Sequence, residues 1–255
     1  MTADDHALAR DLSGQAGARL LGLRAQGGDP DLLRKAGDRL SHEFLVAALA
    51  GRRPGDVVLS EEGADNPARR SARRVWIVDP LDGTREFGEP GRTDWAVHVA
   101  LWERGSGEGD LTAGAVALPA QGRVLSTHEP QARPGDGPAP ARLRITVSRS
   151  RPPAFVRNIS DRLNAELVPL GSAGAKVAAV IGGSVDAYLH GGGFYEWDTA
   201  APVAVARAAG FHASRIDGSP LAYNQADLLM PDILVCRPGL AALLLQTIRE
   251  VTHAP

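Results

Sequence analysis

The order of helical and strand-like segments changes near the middle of this chain, and this change restricts the folds open to it. Residues 4–25 place leucine and alanine at spacings of three and four, which predicts an amphipathic helix, and residues 31–50 predict a second helix. Short strand-like runs follow, at residues 57–60, 75–79, 95–102, 111–118 and 122–127. Glycine-rich turns separate the last three runs, so we expect them to form an antiparallel meander.

Residues 131–140 are rich in proline and glycine and break all periodicity, which predicts a linker or an exposed loop. Beyond them, strands alternate with helices. The strands are predicted at residues 143–148, 167–170, 185–190, 211–214 and 232–236, and the helices at 153–163, 173–181, 198–209 and 239–251. We therefore predict an α+β half over residues 1–140 and an α/β half over residues 141–255.

Charge and hydropathy exclude several classes of protein. The chain carries 28 basic and 30 acidic side chains, so we expect no nucleic-acid polymer and no membrane surface as a partner. No apolar run approaches the roughly 18 residues that cross a bilayer. The start of the chain is polar and acidic, unlike a secretion signal, and Cys236 is the only cysteine. These features predict a cytoplasmic protein, and a small, anionic, metal-carried substrate is compatible with them.

The segment Asp79-Pro80-Leu81-Asp82-Gly83-Thr84 is the most informative stretch of the sequence. An apolar strand delivers the first carboxylate at its end, and a turn delivers the second three residues later, with Pro80 fixing the backbone between them. Thr84 then falls where a following segment would offer free backbone N–H groups. Such a segment can bind a cation and an anion side by side. Taken alone, however, the segment favours a simple turn, because Asp-Gly is a common turn dipeptide.

Three further acidic positions favour a metal site over a simple turn. Glu61 follows a short apolar strand, Asp38 lies in an apolar helical segment, and Asp198 introduces an alanine-rich helix, where we expect it to be the N-cap. Oxygen ligands without a histidine or cysteine cluster favour Mg²⁺ or Mn²⁺ over Zn²⁺. The seven histidines show no metal-binding spacing, so we interpret them as surface or core residues.

Two motifs make the chain similar to the inositol monophosphatase superfamily of Mg²⁺-dependent, lithium-sensitive phosphatases. They are Trp76-Ile-Val-Asp-Pro-Leu-Asp-Gly-Thr84 and Trp197-Asp-Thr-Ala-Ala-Pro202, with Ser60-Glu-Glu62 upstream of the first. The resemblance covers nearly the whole chain. It implies the layered αβαβα sandwich of that superfamily, in which the C-terminal half completes the active site, and it is compatible with a homodimer.

Within the superfamily, the residues that flank these motifs resemble the branch that removes the 3′-phosphate from 3′-phosphoadenosine 5′-phosphate. Arg85-Glu-Phe87 stands where the inositol branch usually carries Thr-Asn-Phe, and Glu196 precedes the second motif as in the nucleotide branch. His190 follows Asp186-Ala-Tyr-Leu189, where the inositol branch places an acidic ring-binding residue. The resemblance therefore implies hydrolysis of this nucleotide to AMP and phosphate, a reaction of sulfate assimilation.

The resemblance also implies the residues of the site. Two or three Mg²⁺ ions, for which Mn²⁺ can substitute, would be held by Glu61, Asp79, the Leu81 carbonyl, Asp82 and Asp198. The catalytic residues would be Asp38, Thr84 and Glu61, with Thr84 hydrogen-bonded to Asp38 and orienting the attacking water. The substrate would be bound by Gly83, Thr84, Arg85, Gly171, Ser172, Lys176 and His190.

Several of these positions have alternative explanations. Gly171 and Ser172 lie at the start of a helix of small residues, where ordinary helix capping would also explain them. Arg85 and Lys176 are candidates for binding the 5′-phosphate, but they could also be solvated surface residues. The lead into Asp38 is shorter than in the family, with Lys35 at the place of a threonine.

Four other functions stay open on the sequence alone. The main alternatives within the same chemistry are hydrolysis of inositol 1-phosphate and of fructose 1,6-bisphosphate. A non-catalytic protein that binds a phosphorylated nucleotide would not need the complete set of carboxylates. A glycosidase would need two carboxylates about 5 to 9.5 Å apart across a sugar cleft, and it would act without a metal.

Overall fold

The structure is a computed structural model, and it describes residues 4–107, 109–130, 141–150 and 152–252. The segment 131–140, predicted as a linker, lies outside the described residues. The helices are α1 (Asp5–Arg24), α2 (Pro30–Arg52), α3 (Thr84–Gly88), α4 (Ala154–Leu163), α5 (Ala173–Ile181), α6 (Glu196–Ala208) and α7 (Pro238–Thr252).

The strands form two five-stranded sheets and one short ribbon. In chain order they are β1 (Val57–Ser60), β2 (Arg74–Asp82), β3 (Ala96–Glu103), β4 (Asp110–Leu118), β5 (Arg123–Ser126), β6 (Arg144–Ser148), β7 (Glu166–Leu170), β8 (Ala187–His190), β9 (Phe194–Tyr195), β10 (His212–Ser214), β11 (Leu229–Met230) and β12 (Ile233–Cys236). Two short 3₁₀ turns cover Pro67–Arg70 and Pro119–Gln121.

The first sheet has the order β1-β2-β3-β4-β5 and is covered on its outer face by α1 and α2. β1 pairs with β2 in parallel, and β2 to β5 run antiparallel, which confirms the predicted meander. Both helices are present as predicted, and Asp4 and Asp29 accept hydrogen bonds from the backbone N–H groups of their first turns. Their apolar faces pack with Trp76 and Trp95 in a continuous core.

The second sheet has the order β10-β12-β8-β6-β7, and α4 and α7 lie on its outer face. β6 is parallel to both β7 and β8, as the alternation of strands and helices predicted, whereas β12 is antiparallel to β8. A core of aliphatic side chains from β6, β8 and β12 meets the apolar faces of α4 and α7.

Helices α5 and α6 lie between the two sheets and complete an αβαβα sandwich. α6 packs closely on β4, because Gly114 has no side chain there: an added Cβ would lie 2.7 Å from the Cβ of Ala204. This central core contains residues from both sheets. The division into halves at 1–140 and 141–255 therefore describes the chain order, and it stays a prediction.

Three details differ from the sequence prediction. β2 does not end at Asp79 but continues to Asp82, with an irregular register between these residues where Pro80 interrupts the pairing with β3. The ribbon of β9 and β11 was not predicted, because segments of two residues carry no measurable period, and α6 begins at Glu196 rather than at residue 198. None of the helices in the described ranges combines the length and the apolar character that crossing a lipid bilayer requires.

The close approach of α6 to β4 gives a test of this packing. We expect Gly114→Ala to lower the free energy of unfolding by about 1–3 kcal/mol, because the new methyl group must push α6 away from β4. The matched control is Gly51→Ala, near the exposed end of α2, where an added Cβ meets nothing within 4 Å. That change should stabilise the protein by about 0.5–1 kcal/mol. Urea denaturation measures both, and equal effects of the two substitutions would contradict the packing described here.

Candidate active site

Asp79 and Asp82 lie at the C-terminal end of β2, which pairs with β1 and β3 in the first sheet, and both are buried. The Oδ1 atom of Asp79 accepts a hydrogen bond of 3.0 Å from the backbone N–H of Leu81, which fixes the carboxylate in the irregular part of the strand. The two acidic side chains therefore sit on a rigid strand rather than on a free loop.

The residues after β2 turn the chain sharply into α3. Gly83 has φ +83°, and an added Cβ would lie 3.2 Å from the carbonyl oxygen of Asp94, so glycine is required by both conformation and space. Thr84 Oγ1 lies 3.0 Å from the Leu81 carbonyl oxygen and 3.4 Å from Asp38 Oδ1. The predicted contact between Thr84 and Asp38 is thus present as a long hydrogen bond.

Glu61 and Asp198 reach the same place from other elements. Glu61 follows β1, and its backbone N–H lies 3.3 Å from the carbonyl oxygen of Val78 in β2, so it stands beside Asp79. Asp198 belongs to the first turn of α6, where its Oδ2 accepts a 2.6 Å hydrogen bond from the backbone N–H of Tyr195. The prediction that Asp198 is the N-cap is wrong: the helix begins at Glu196, and Asp198 is the third helical residue of a capping box.

Neighbouring carboxylates raise the pKa of Asp79 and of Glu61. Burial, together with the charges of Glu61, Asp82 and Asp198, raises the pKa of Asp79 well above its ordinary value. Glu61 as a whole residue is exposed, but the surrounding atoms desolvate its carboxyl group, and this desolvation, with the charge of Asp198, raises its pKa from 4.5 to about 8. Nearby, burial and the charge of Glu62 raise the pKa of Asp38 to about 7. Uncompensated negative charge of this kind favours a bound cation.

The loop before α5 holds Asp82 from the second half of the chain. Asp82 Oδ2 accepts hydrogen bonds from Ser172 Oγ at 2.5 Å and from the backbone N–H of Gly174 at 2.9 Å. Ser172 is also the N-cap of α5, since its Oγ accepts a hydrogen bond from the backbone N–H of Ala175. Ser172 therefore both caps α5 and holds the Asp82 carboxylate.

The basic residues of the site differ in their exposure. Lys176 is buried, with Nζ donating to the Gly171 carbonyl oxygen and lying 5.2 Å from the ring centre of Tyr188. Desolvation lowers its pKa, although the charges of Asp82 and other carboxylates oppose this. Arg85 is exposed at the rim.

A single cleft of about 420 Å³ collects almost every predicted site residue. Asp38 and Ser172 do not line it, but they are hydrogen-bonded to Thr84 and Asp82, which do. His190 does line it, and its ring stacks on Phe194 with 5.1 Å between ring centres. The remaining predicted residues that line the cleft are Glu61, Asp79, Leu81, Asp82, Gly83, Thr84, Arg85, Gly171, Lys176 and Asp198.

Sequence reasoning missed His98 and Asp94. His98 in β3 is fully buried opposite Asp79, its Nε2 lies 3.3 Å from Asp82 Oδ2, and its Nδ1 lies 3.2 Å from the Trp197 carbonyl oxygen. Asp94 Oδ2 accepts a 2.7 Å hydrogen bond from the backbone N–H of the loop residue Gly171. Antiparallel pairing of the strands at 75–79 and 95–102 could have placed His98 near the carboxylates, but no motif marks Asp94.

Ligand atoms of Asp79, Asp82 and His98 lie within 4.8 Å of one another, a group that could hold a metal ion. On the His98 side, however, Asp82 Oδ2 already accepts the two hydrogen bonds from Ser172 and Gly174. Glu61 and Asp198 bring further carboxylates to the cleft side of Asp79. These residues fit a divalent cation with oxygen ligands. Their carboxylates are acceptor-only groups, and a bound cation would supply the positive charge that they need.

Comparisons with known proteins agree with the fold and the site. The model of the inositol monophosphatase family matches residues 10–253, and the chain belongs to this family. It is 53% identical, over 97% of its length and 94% of the relative's, to a 3′-phosphoadenosine 5′-phosphate phosphatase of Mycobacterium leprae. It is 34% identical to the 3′(2′),5′-bisphosphate nucleotidase CysQ of Escherichia coli K12, with 74% of this chain and 78% of that protein covered.

A crystal structure of inositol monophosphatase II from Staphylococcus aureus has the same fold. The TM-score is 0.82, with 97% of this chain and 96% of that chain covered at 23% identity. This likeness confirms the αβαβα sandwich.

The raised carboxylate pKa values predict how stability depends on pH. We expect the free energy of unfolding of the metal-free protein to fall as the pH rises from about 4.5 to about 8. Across this range the folded state keeps a proton on Glu61 that the unfolded chain has lost, and this advantage disappears as the pH passes the folded pKa of about 8. Urea denaturation with a chelator at a series of pH values measures the trend.

Glu61→Gln should make this pH dependence shallower, because the variant lacks one of the titrating groups. Glu43→Gln on the exposed face of α2 is the matched control and should leave the slope unchanged. An identical slope in wild type and Glu61→Gln would contradict the electrostatic coupling of the carboxylates.

Proposed function

We propose that this chain hydrolyses the 3′-phosphate of 3′-phosphoadenosine 5′-phosphate to give AMP and phosphate. The observation that carries the proposal is one cleft in which clustered carboxylates face Arg85 and Lys176, in a chain 53% identical to a phosphatase named for this substrate. An anionic substrate that arrives with a cation suits such a mixture of charges.

Glu61, Asp79, the Leu81 carbonyl, Asp82 and Asp198 would hold Mg²⁺, in two or three ions, with Mn²⁺ as a substitute. Hard oxygen ligands of this kind favour these metals. The bound metal would supply positive charge for the phosphate oxygens and lower the pKa of a coordinated water.

The chain's own groups orient the reactants. Thr84 Oγ1, within reach of Asp38, would accept or pass a proton of the attacking water, with Glu61 on the open side of the cleft as its partner. The backbone N–H groups of Gly83 and Thr84 would hold phosphate oxygens, and Gly171 and Ser172 would border them from the second half of the chain.

The remaining substrate contacts fit a nucleotide. Lys176 Nζ uses one donor on the Gly171 carbonyl, and an ammonium has three, so it can also bind a phosphate oxygen. Arg85 at the rim would bind the 5′-phosphate. His190 and Phe194 form an aromatic wall against which a nucleoside can pack.

Two further proposals concern the setting of the enzyme. We place it in the cytoplasm, since its only cysteine, Cys236, is buried and unpaired in a strand. We keep the homodimer as a prediction that sedimentation velocity checks.

Removal of one carboxylate tests the metal site. We expect Asp82→Asn to lower phosphate release by at least ~100-fold, because the amide weakens metal binding and keeps the same size. The matched control is Asp161→Asn on the exposed face of α4, which should keep full activity. Retained hydrolysis in Asp82→Asn would rule out this site as the metal centre, and activity that resists a chelator would do the same.

A substrate panel tests the specificity. Phosphate release with Mg²⁺ should be at least ~10-fold faster, as kcat/KM, for 3′-phosphoadenosine 5′-phosphate than for inositol 1-phosphate or fructose 1,6-bisphosphate, because the two sugar phosphates lack a base to pack on His190 and Phe194. Li⁺ titration in the same assay should inhibit the reaction. Equal or faster turnover of either sugar phosphate would overturn the proposed substrate.

A further inference from the structure

A buried arginine lies outside the cleft and ties two of its walls together. Arg69 follows β1 in the first 3₁₀ turn, is 1% exposed and does not line the cleft. Its Nε and Nη2 atoms donate to the two carboxylate oxygens of Asp65, at 2.6 and 3.1 Å. Its Nη1 donates to Asn224 Oδ1 at 2.9 Å and to the Gln225 carbonyl oxygen at 2.7 Å. Four hydrogen bonds therefore use most of the guanidinium donors.

The segment that Arg69 holds is bound in turn to the start of α6. The backbone N–H groups of Asn224 and Gln225 donate to the two carboxylate oxygens of Glu196, at 2.6 and 2.7 Å. Glu196 is fully buried and is the first residue of α6. Asn224 has φ +59°, a conformation that asparagine tolerates, and its Nδ2 donates back to the Arg69 carbonyl oxygen at 3.1 Å.

These contacts connect the segments that present Glu61 and Asp198. The segment from Glu61 to Arg69 is anchored on β2 at its first residue, and Arg69 anchors its other end. Asp198 lies two residues after Glu196 in the same helical turn.

We propose that Arg69 is a positioning residue of the metal site: through Asn224 and Glu196 it holds the first turn of α6, with Asp198, against the segment that carries Glu61. The inference rests on the proposed metal-dependent function. Groups that orient metal ligands without touching the metal typically change metal affinity by 10- to 100-fold when they are removed. Lysine could not replace the arginine, because a point-like ammonium cannot bind Asp65 and the 224–225 backbone at once.

Metal binding by the substrate-free protein tests the proposal. Calorimetric titration of Arg69→Met with Mg²⁺ should show at least ~10-fold weaker binding than wild type. In the phosphatase assay the Mg²⁺ concentration for half-maximal activity should rise by the same factor, while kcat at saturating Mg²⁺ stays within about threefold. Weakened binding with a recovered kcat separates a positioning residue from a catalytic one.

The matched control is Arg215→Met, which removes another two-pronged pair with an aspartate. Arg215 donates to both oxygens of Asp232 at 2.7 Å, at the edge of the second sheet and away from the cleft. This variant should lose thermal stability and keep the Mg²⁺ affinity of wild type. If Arg69→Met lowers the melting temperature but leaves Mg²⁺ binding unchanged, as in the control, the positioning role is refuted.

If Arg69→Met does not fold, a second variant tests the proposal. Asn224→Gly adopts the same positive φ and keeps the backbone N–H bond to Glu196, but it loses both side-chain contacts with Arg69. It should weaken Mg²⁺ binding severalfold, and unchanged binding would refute the proposal. Because calorimetry uses Mg²⁺ alone, this outcome is independent of the substrate: wild-type protein that binds Mg²⁺ without hydrolysing the nucleotide would refute the proposed function only.

Discussion

Mutual repulsion among the carboxylates at the end of β2 is the constraint on which the structure depends. Asp79 and Asp82 are buried, and Glu61 and Asp198 add their carboxylates from other elements, which raises the pKa of Asp79 and Glu61 and makes the site one that favours a bound cation. A fold that gathers such groups must hold them by contacts stronger than their repulsion. The buried strand β2, its parallel neighbour β1 and the buried helix α6 supply this framework.

Residues from both halves of the chain hold Asp82 in position. β2 comes from the first half, and the Ser172 hydroxyl and the Gly174 N–H come from the second half at the start of α5. Gly174 has no side chain at this point, since an added Cβ would lie 2.2 Å from His98 Nε2. The site thus lies where the two sheets meet the central helices, and a change in this packing would move ligands and substrate contacts together.

Much of the site could be predicted because its residues follow local patterns. Asp79 and Asp82 lie in the last part of the apolar strand β2, Glu61 follows β1, Gly83 occupies a turn with positive φ, and Ser172 is the N-cap of a helix. His98 could not be identified in this way, because its place depends on the pairing of two strands. The start of α6 was placed too late, since Glu196 looks like a surface residue until the distant backbone of residues 224–225 binds its carboxylate. The two-residue strands β9 and β11 carry no period at all.

The position of the metal is the central claim of this account, and anomalous scattering measures it directly. Crystals grown with Mn²⁺ and AMP should show anomalous peaks on the cleft side of Asp79 and Asp82, within coordination distance of Glu61 or Asp198. A single peak between Asp82 and His98, or no peak near these carboxylates at saturating Mn²⁺, would contradict it.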